Sequence, residues 1–352
     1  MKRKGWRVLA ILCIGFIALF YFGGKQDGVR MKQMLLETKP EYLLLAALSF
    51  LSYLAMEAFA YRKFLRHLGY RVGFFHCYRY ALSDFFFSSV SPGGSAGQPG
   101  QYMIMTQDKI ESAHALMSLF SFNMVYHVTM IGMAVGALVL GATQRVAKLP
   151  ALKVLIIFGL LVQIYCVCLI FFLMFSKRVP DLAEKFFTFL KRIPFLKRFA
   201  AKRDSLKKHF EEQKETGEYL AGHPILILQL FLYIIPLFIF YYSVPFFVAR
   251  ALGFHVNWIQ VIAIQSVAML ALESVPLPGG AGLAEGSFLA VYDMIAPGAG
   301  FTMMLLARSI NFYLGLSLGA LVLAFTEKTR ILKNKRLKWQ KKYLFKKQTD
   351  GA

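Results

Sequence analysis

Long apolar runs alternate with short basic stretches along the chain. A helix rising about 1.5 Å per residue needs about 20 apolar residues to cross a hydrocarbon layer of about 30 Å. Seven stretches meet that length: 6–23, 41–60, 112–142, 152–175, 224–250, 258–275 and 301–325. Two more, 74–106 and 276–297, carry Pro and Gly at their centres and are too polar or broken to be ordinary spans. The pattern predicts an all-α polytopic membrane protein with about seven full spans and two broken segments, re-entrant or half-helical. The first run opens with the basic stretch Met1 to Arg7, as a signal peptide does. Its end at Tyr21-Phe22-Gly23-Gly24 offers no clear small-x-small cleavage site, so a retained anchor is expected.

Composition agrees. Hydrophobic residues make up 57% and charged ones 17%, against about 25% charged in a soluble domain, which excludes a soluble enzyme. The net charge of +22 sits in four segments, 1–7, 61–79, 176–222 and 326–352, and the rest of the chain is neutral. Lys and Arg collect on cytoplasmic flanks, so both termini and the loop 176–222 are expected on the cytoplasmic side of the cell membrane. That orientation requires 74–106 to enter and return on one side and 276–297 to add a short crossing. The basic residues then lie against anionic headgroups, at about 1 kcal/mol each near the surface, and nucleic acid is not an expected partner. Within the loop, Leu182, Phe186, Phe189, Leu190, Ile193, Leu196 and Phe199 recur at three and four spacing, the pattern of an interfacial helix, with a kink expected at Pro194. The expected division is a membrane domain over 1–326 and a basic tail over 327–352. The cysteines Cys13, Cys77, Cys166 and Cys168 form no CxxC and no ligand spacing with histidine. Neither a disulfide framework, a metal nor a cofactor is expected.

The broken segments share a pattern. Ser89, Val90, Pro92, Gly93, Gly94, Ala96, Gly97 and Gly100 in the first answer to Ser274, Val275, Pro278, Gly279, Gly280, Ala281, Gly282 and Gly286 in the second. Two copies in opposite halves predict an approximate internal repeat. Pro removes a backbone donor and Gly allows positive φ and close approach. Such a break survives in a membrane only inside protein or against a wet cavity, and paired interrupted helices mark transporter substrate sites. Close-packed kinks between crossing helices are the other reading. Ionisable residues in or beside the spans are Glu57, Asp84, Glu273, Glu285, Asp293 and Arg308. Intramembrane charges normally face a partner or a cavity. Arg308 has two readings, an ion pair with Glu285, or a lipid phosphate contact with Glu285 receiving a cationic headgroup. His127, one helical turn from Asn123, is either a hydrogen-bonded core residue or part of the cavity lining.

The run Gly93 to Pro99, the run Val275 to Phe288 (VPLPGGAGLAEGSF) and the following Arg308 resemble one family. It comprises the flippase-like proteins built on the lysylphosphatidylglycerol synthase transmembrane region, the membrane half of the bacterial multiple peptide resistance factor. The resemblance in span layout covers about residues 6–325. It implies translocation of an anionic or aminoacylated phospholipid, such as lysyl-phosphatidylglycerol, across the cytoplasmic membrane, with resistance to cationic peptides as the outcome. It also implies substrate contacts at Gly93, Gly94, Gly97, Gln98, Pro99, Pro278, Gly279, Gly280, Gly282, Glu285 and Arg308, the glycines and prolines shaping backbone and the last polar groups touching lipid. Lipid-making members append a soluble aminoacyl-transferase domain, and only the tail from Glu327 follows here. The expectation is therefore transport, not catalysis. The alternatives are a phosphatidylglycerol lysyltransferase or a membrane partner of one, and the oligomeric state stays open. A reporter fused after Lys202 should be active only in the cytoplasm, and activity confined to the outside would overturn the orientation.

Overall fold

The computed structural model describes residues 28–91, 94–141, 150–175, 218–272 and 283–326. The first expected span, nearly all of the loop 176–222, the tail, and the second Pro-Gly-Gly run with Pro278, Gly279, Gly280 and Gly282 lie outside them. The described elements are α1 (Gly28–Leu36), α2 (Pro40–His67), α3 (Phe74–Ser89), α4 (Gly97–Gln107), α5 (Ser112–Val139), α6 (Pro150–Phe175), α7 (Pro224–Ala251), α8 (Trp258–Leu272), α9 (Leu283–Ile295) and α10 (Gly300–Thr326). No strand occurs among the described residues. Helices α2, α5, α6, α7 and α10 are long and apolar enough to cross a membrane. With 16 and 11 residues, α3 and α4 reach about 24 and 16 Å, too short to cross singly.

Among the described residues the two halves repeat one order, a long helix, two short ones and a long one, and in the sequence a Pro/Gly run separates each short pair. Helices α2 and α7 each have 28 residues and start at a proline, where a missing N–H costs nothing. Both end the same way. Gly69 (φ +88°) and Gly253 (φ +86°) take the left-handed conformation. The Gly69 N–H donates to Arg66 O at 3.0 Å and the Tyr70 N–H to Leu65 O at 2.9 Å. In the second half the Gly253 N–H donates to Arg250 O at 3.1 Å and the Phe254 N–H to Ala249 O at 3.0 Å. Each is a Schellman cap. At one constant offset Pro40, Arg66, Leu68, Gly69 and Val72 meet Pro224, Arg250, Leu252, Gly253 and Val256.

The repeat is inverted, because α2 and α7 pack antiparallel along their length. The Lys39 N–H donates to Ala251 O at one end (3.0 Å), Ser49 Oγ donates to Phe240 O in the middle (2.7 Å), and the His67 and His223 rings meet at the other end (5.3 Å). Swapping the halves exchanges the pair Lys39–Ala251 with the pair His223–His67, so an approximate two-fold axis passes through this interface. The remaining packing obeys it. Helix α10 lies on α2 and α3, where a Cβ at Gly315 would sit 2.7 Å from the Phe50 ring and one at Gly319 would sit 2.9 Å from Leu82 O. Helix α5 lies correspondingly on α7 and α8, with Tyr126 against Phe238 at 4.6 Å. The shared core contains Phe50, Tyr61, Phe64, Tyr80, Phe238, Tyr242 and Tyr292.

Helix α6 is an addition to this plan. It rests on α5 and α8 and turns Val154, Ile157, Leu161 and Phe171 outward, as a lipid-facing helix does. Its contact with α8 depends on Gly159, where an added Cβ would lie 2.9 Å from the carbonyl carbon of Leu270 and 3.0 Å from Ala271 Cα. Backbone atoms cannot yield as a side-chain tip can. Gly159→Ala should therefore destabilise the folded protein by about 1–3 kcal/mol, read as a lower thermal midpoint in detergent. Gly136→Ala, where nothing lies within 4 Å, should be neutral or slightly stabilising because Ala favours helix.

Candidate functional site

The first broken segment is a helical hairpin. Helix α3 ends at Ser89 and the chain reverses through Gly94 (φ +68°). The turn is held by serines: Ser91 Oγ accepts the Ala96 N–H at 3.0 Å, and Ser88 Oγ donates to Gly94 O at 3.3 Å. Helix α4 then returns so closely along α3 that side chains are excluded from the seam. A Cβ at Gly97 would lie 2.6 Å from Asp84 Oδ1 and 3.1 Å from Asp84 O, and one at Gly100 would lie 2.6 Å from Phe87 Cγ. The glycines of the motif are thus contact residues between the two arms.

That seam turns one face of α4 inward, comprising Gly97, Gly100, Gln101, Ile104 and Met105. Gln101 is 1% exposed, and its Nε2 donates to Glu57 Oε1 at 3.1 Å, while its Oε1 accepts from Tyr61 Oη at 3.3 Å. Glu57 and Tyr61 stand one turn apart on α2, and both are buried. The Asp84 carboxyl is near enough to Glu57 for the two to interact electrostatically. No cation pairs with Glu57 or Asp84 among the described residues. The hairpin end is fastened separately by Arg79 and Tyr80 on Asp108 and by the Tyr70–His114 contact of 2.9 Å.

Among the described side chains of the second half, the buried charge is Arg308 of α10. Arg308 ends the first α-helical stretch of α10 and is 8% exposed. Its guanidinium lies 5.7 Å from the Phe288 ring centre and 5.3 Å from that of Phe312. A π-helical stretch, Ser309–Leu314, follows at once, an irregularity frequent at functional sites. Phe288 stacks on Tyr292 at 5.6 Å, and Tyr292 hydrogen-bonds with Gln265 of α8. Gln265 is 1% exposed, and its Oε1 has no partner among the described residues.

Of the residues expected at a substrate site, Gly94 and Gly97 shape the hairpin together with the motif residue Gly100, Gln98 and Pro99 are exposed on its outer side, and Arg308 is buried. Gly93 lies outside the described residues, and Glu285 falls in the first turn of α9. Asp293 caps the turn after α9, its Oδ1 accepting the Gly298 N–H at 2.9 Å. His127 is bonded to Gln163 of α6 at 2.6 Å, the core alternative of the two weighed for it. Sequence reasoning did not single out Gln101 and Tyr61. The spacing of Gly97, Gly100, Gln101, Ile104 and Met105 is a helical stripe, and it would have separated Gln101 from Gln98. Among the described residues no group of three or more His, Cys, Asp or Glu could hold a metal.

Residues 6–319 match the family model described as the lysylphosphatidylglycerol synthase TM region. The chain is also similar to a UPF0104 membrane protein of Archaeoglobus fulgidus, 23% identical over 300 residues, which covers 83% of this chain and 89% of that protein. No solved structure matches. For the Glu57 cluster, Gln101→Leu should cost about 1.5–3 kcal/mol by removing the donor to a buried carboxyl. Adding Glu57→Met should recover most of the loss. Thermal midpoints of the two single variants and the double variant check this, and strictly additive losses would show that the pair is not coupled.

Proposed function

The chain belongs to the lysylphosphatidylglycerol synthase transmembrane-region family, and on that footing we propose that it carries a phospholipid headgroup between the leaflets of the cytoplasmic membrane. The observation that carries this reading is the inverted pairing of the two halves, whose first broken segment is a helical hairpin, together with the buried charges Glu57 and Arg308 inside the bundle. Broken helices placed around a two-fold axis are the architecture in which a site is served from either side of a membrane. A lipid headgroup has a phosphate, which a guanidinium grips through two parallel hydrogen bonds. Arg308 is the residue assigned to it. Its aromatic neighbours Phe288 and Phe312 keep water away and so strengthen the charge interaction. Gln265 Oε1 offers an acceptor for a headgroup hydroxyl or ammonium.

The glycines and prolines of both motifs, Gly93 to Pro99 and Pro278 to Gly282, shape the backbone that such a headgroup passes. Glu285 precedes Phe288 by one helical turn and balances Arg308 or meets a cationic substituent such as an aminoacyl group. Both termini and the basic loop 176–222 are assigned to the cytoplasm, where the positive segments face anionic lipid.

Proteoliposomes holding headgroup-labelled phosphatidylglycerol and a membrane-impermeant quencher test the proposal, since exchange between leaflets exposes protected label. The parent should exchange label faster than empty liposomes. Arg308→Lys keeps the charge and loses the fork, so exchange should fall about tenfold or more at near-normal abundance. Full activity in Arg308→Lys, with a working Arg308→Met/Glu285→Met double variant, would make Arg308 a structural counter-ion and reject its role in binding.

A further inference from the structure

The inverted repeat offers an internal comparison of the two membrane faces. Along α2, Glu41, Glu57, Arg62 and Lys63 stand at the positions of Ile225, Tyr241, Phe246 and Phe247 in α7. These charges are not shared. At the end of the helix the comparison changes: Arg66 meets Arg250, and Arg71, beyond the cap glycine, meets His255. Because α2 and α7 are antiparallel, these two basic pairs lie on opposite faces of the bundle. A basic residue in the last turn offsets the helix dipole, which accounts for Arg66 and Arg250. It does not account for a second basic residue beyond the glycine in each copy.

The geometry around Arg250 is that of an anion receptor. Its Nη1 lies 2.8 Å from His255 Nδ1, and its guanidinium lies 5.7 Å from the Tyr42 ring centre at the start of α2. Arginine is always a donor, so His255 Nδ1 accepts and Nε2 carries the imidazole hydrogen. Two kinds of N–H are thereby presented together at the membrane surface. Among the described residues no carboxylate pairs with Arg250, His255, Arg66 or Arg71. His255 is exposed, and Trp258, three residues on, is 42% exposed with its Nε1 donating to Ser243 Oγ at 2.8 Å. Half-exposed Trp is typical of the headgroup level.

We infer that Arg250 and His255 form a docking site for the phosphate of an anionic lipid headgroup on one face, and that Arg66 and Arg71 form its counterpart on the other. The molecule then collects the same headgroup from either leaflet, at points related by its own two-fold axis. The inference rests on the lipid-handling reading for the nature of its ligand, but its test reads binding and is independent of transport.

Trp258 is the reporter. In a Trp6→Phe/Trp339→Phe background it is the one tryptophan left, since the chain has three. The protein is placed in phosphatidylcholine vesicles with rising fractions of phosphatidylglycerol or phosphatidylcholine brominated on the acyl chain, and quenching is followed. Brominated phosphatidylglycerol should quench at several-fold lower fractions than brominated phosphatidylcholine. Arg250→Gln/His255→Gln should remove that preference, lowering it at least about fivefold for the one guanidinium charge lost. Arg66→Gln/Arg71→Gln should leave it intact, and circular dichroism confirms that each variant is folded. Moving the reporter with Phe74→Trp/Trp258→Phe to the equivalent place on the opposite face should reverse the dependence. Equal quenching by the two lipids in the parent, or loss of preference at Trp258 in the Arg66/Arg71 variant, would overturn the inference. Inorganic phosphate should not displace the preference. Displacement would assign the site to a soluble phosphate and reject the lipid.

Discussion

Everything in the molecule is referred to the antiparallel pairing of α2 with α7. Two 28-residue helices that begin with proline and end in the same glycine cap run past one another from end to end, and each carries its own half of the protein. In a membrane there is no hydrophobic drive between such helices, so the pairing is held by packing and a few polar contacts. Ser49 to the Phe240 carbonyl and Lys39 to the Ala251 carbonyl supply these. Proline inside α7, at Pro236 and Pro245, frees backbone acceptors in that helix.

With that frame in place, the short helices can be broken without exposing backbone to lipid. The hairpin of α3 and α4 closes its turn on serine hydroxyls and its seam on glycines, so the interruption is satisfied locally. What the seam turns inward is the Gln101 amide, and the bundle encloses it against Glu57 and Tyr61. Glu57 and Gln101 on one side of the axis and Arg308 and Gln265 on the other are buried polar groups that a purely structural bundle would replace with leucine at little loss. Among the described side chains, the buried acid Glu57 belongs to the first half and the buried Arg308 to the second.

Much of this was legible in the sequence. Span length, the concentration of basic residues and the twin Pro-Gly-Gly runs gave an all-α membrane protein with an internal repeat, because each depends on composition over a long window. The hairpin followed from Pro92 and the glycines about it. The pairing of α2 with α7 was not legible, since α7 is apolar around most of its circumference and no stripe marks the face that meets α2. Gln98 and Gln101 have the same chemistry and sit three residues apart. Only the glycine seam on α3 decides that Gln101 turns inward. The shared Leu-Gly-aromatic-basic-Val cap was present in the sequence, but so short a run has meaning only once both copies are seen to end a helix.

The inverted pairing also bears on how the chain enters the membrane. Two copies of one plan that lie in opposite senses must be inserted in opposite senses, and insertion is directed by the positive charge flanking each hydrophobic run. The first copy ends its long helix with Arg62, Lys63 and Arg66. The second has Phe246 and Phe247 at the first two of these places and keeps only Arg250, while a basic loop precedes it. The flanking positive charge therefore sits at the end of the long helix in the first copy and ahead of it in the second. An insertion signal at opposite ends of the two long helices is one physical reason for two copies of one plan to differ in their flanking charges.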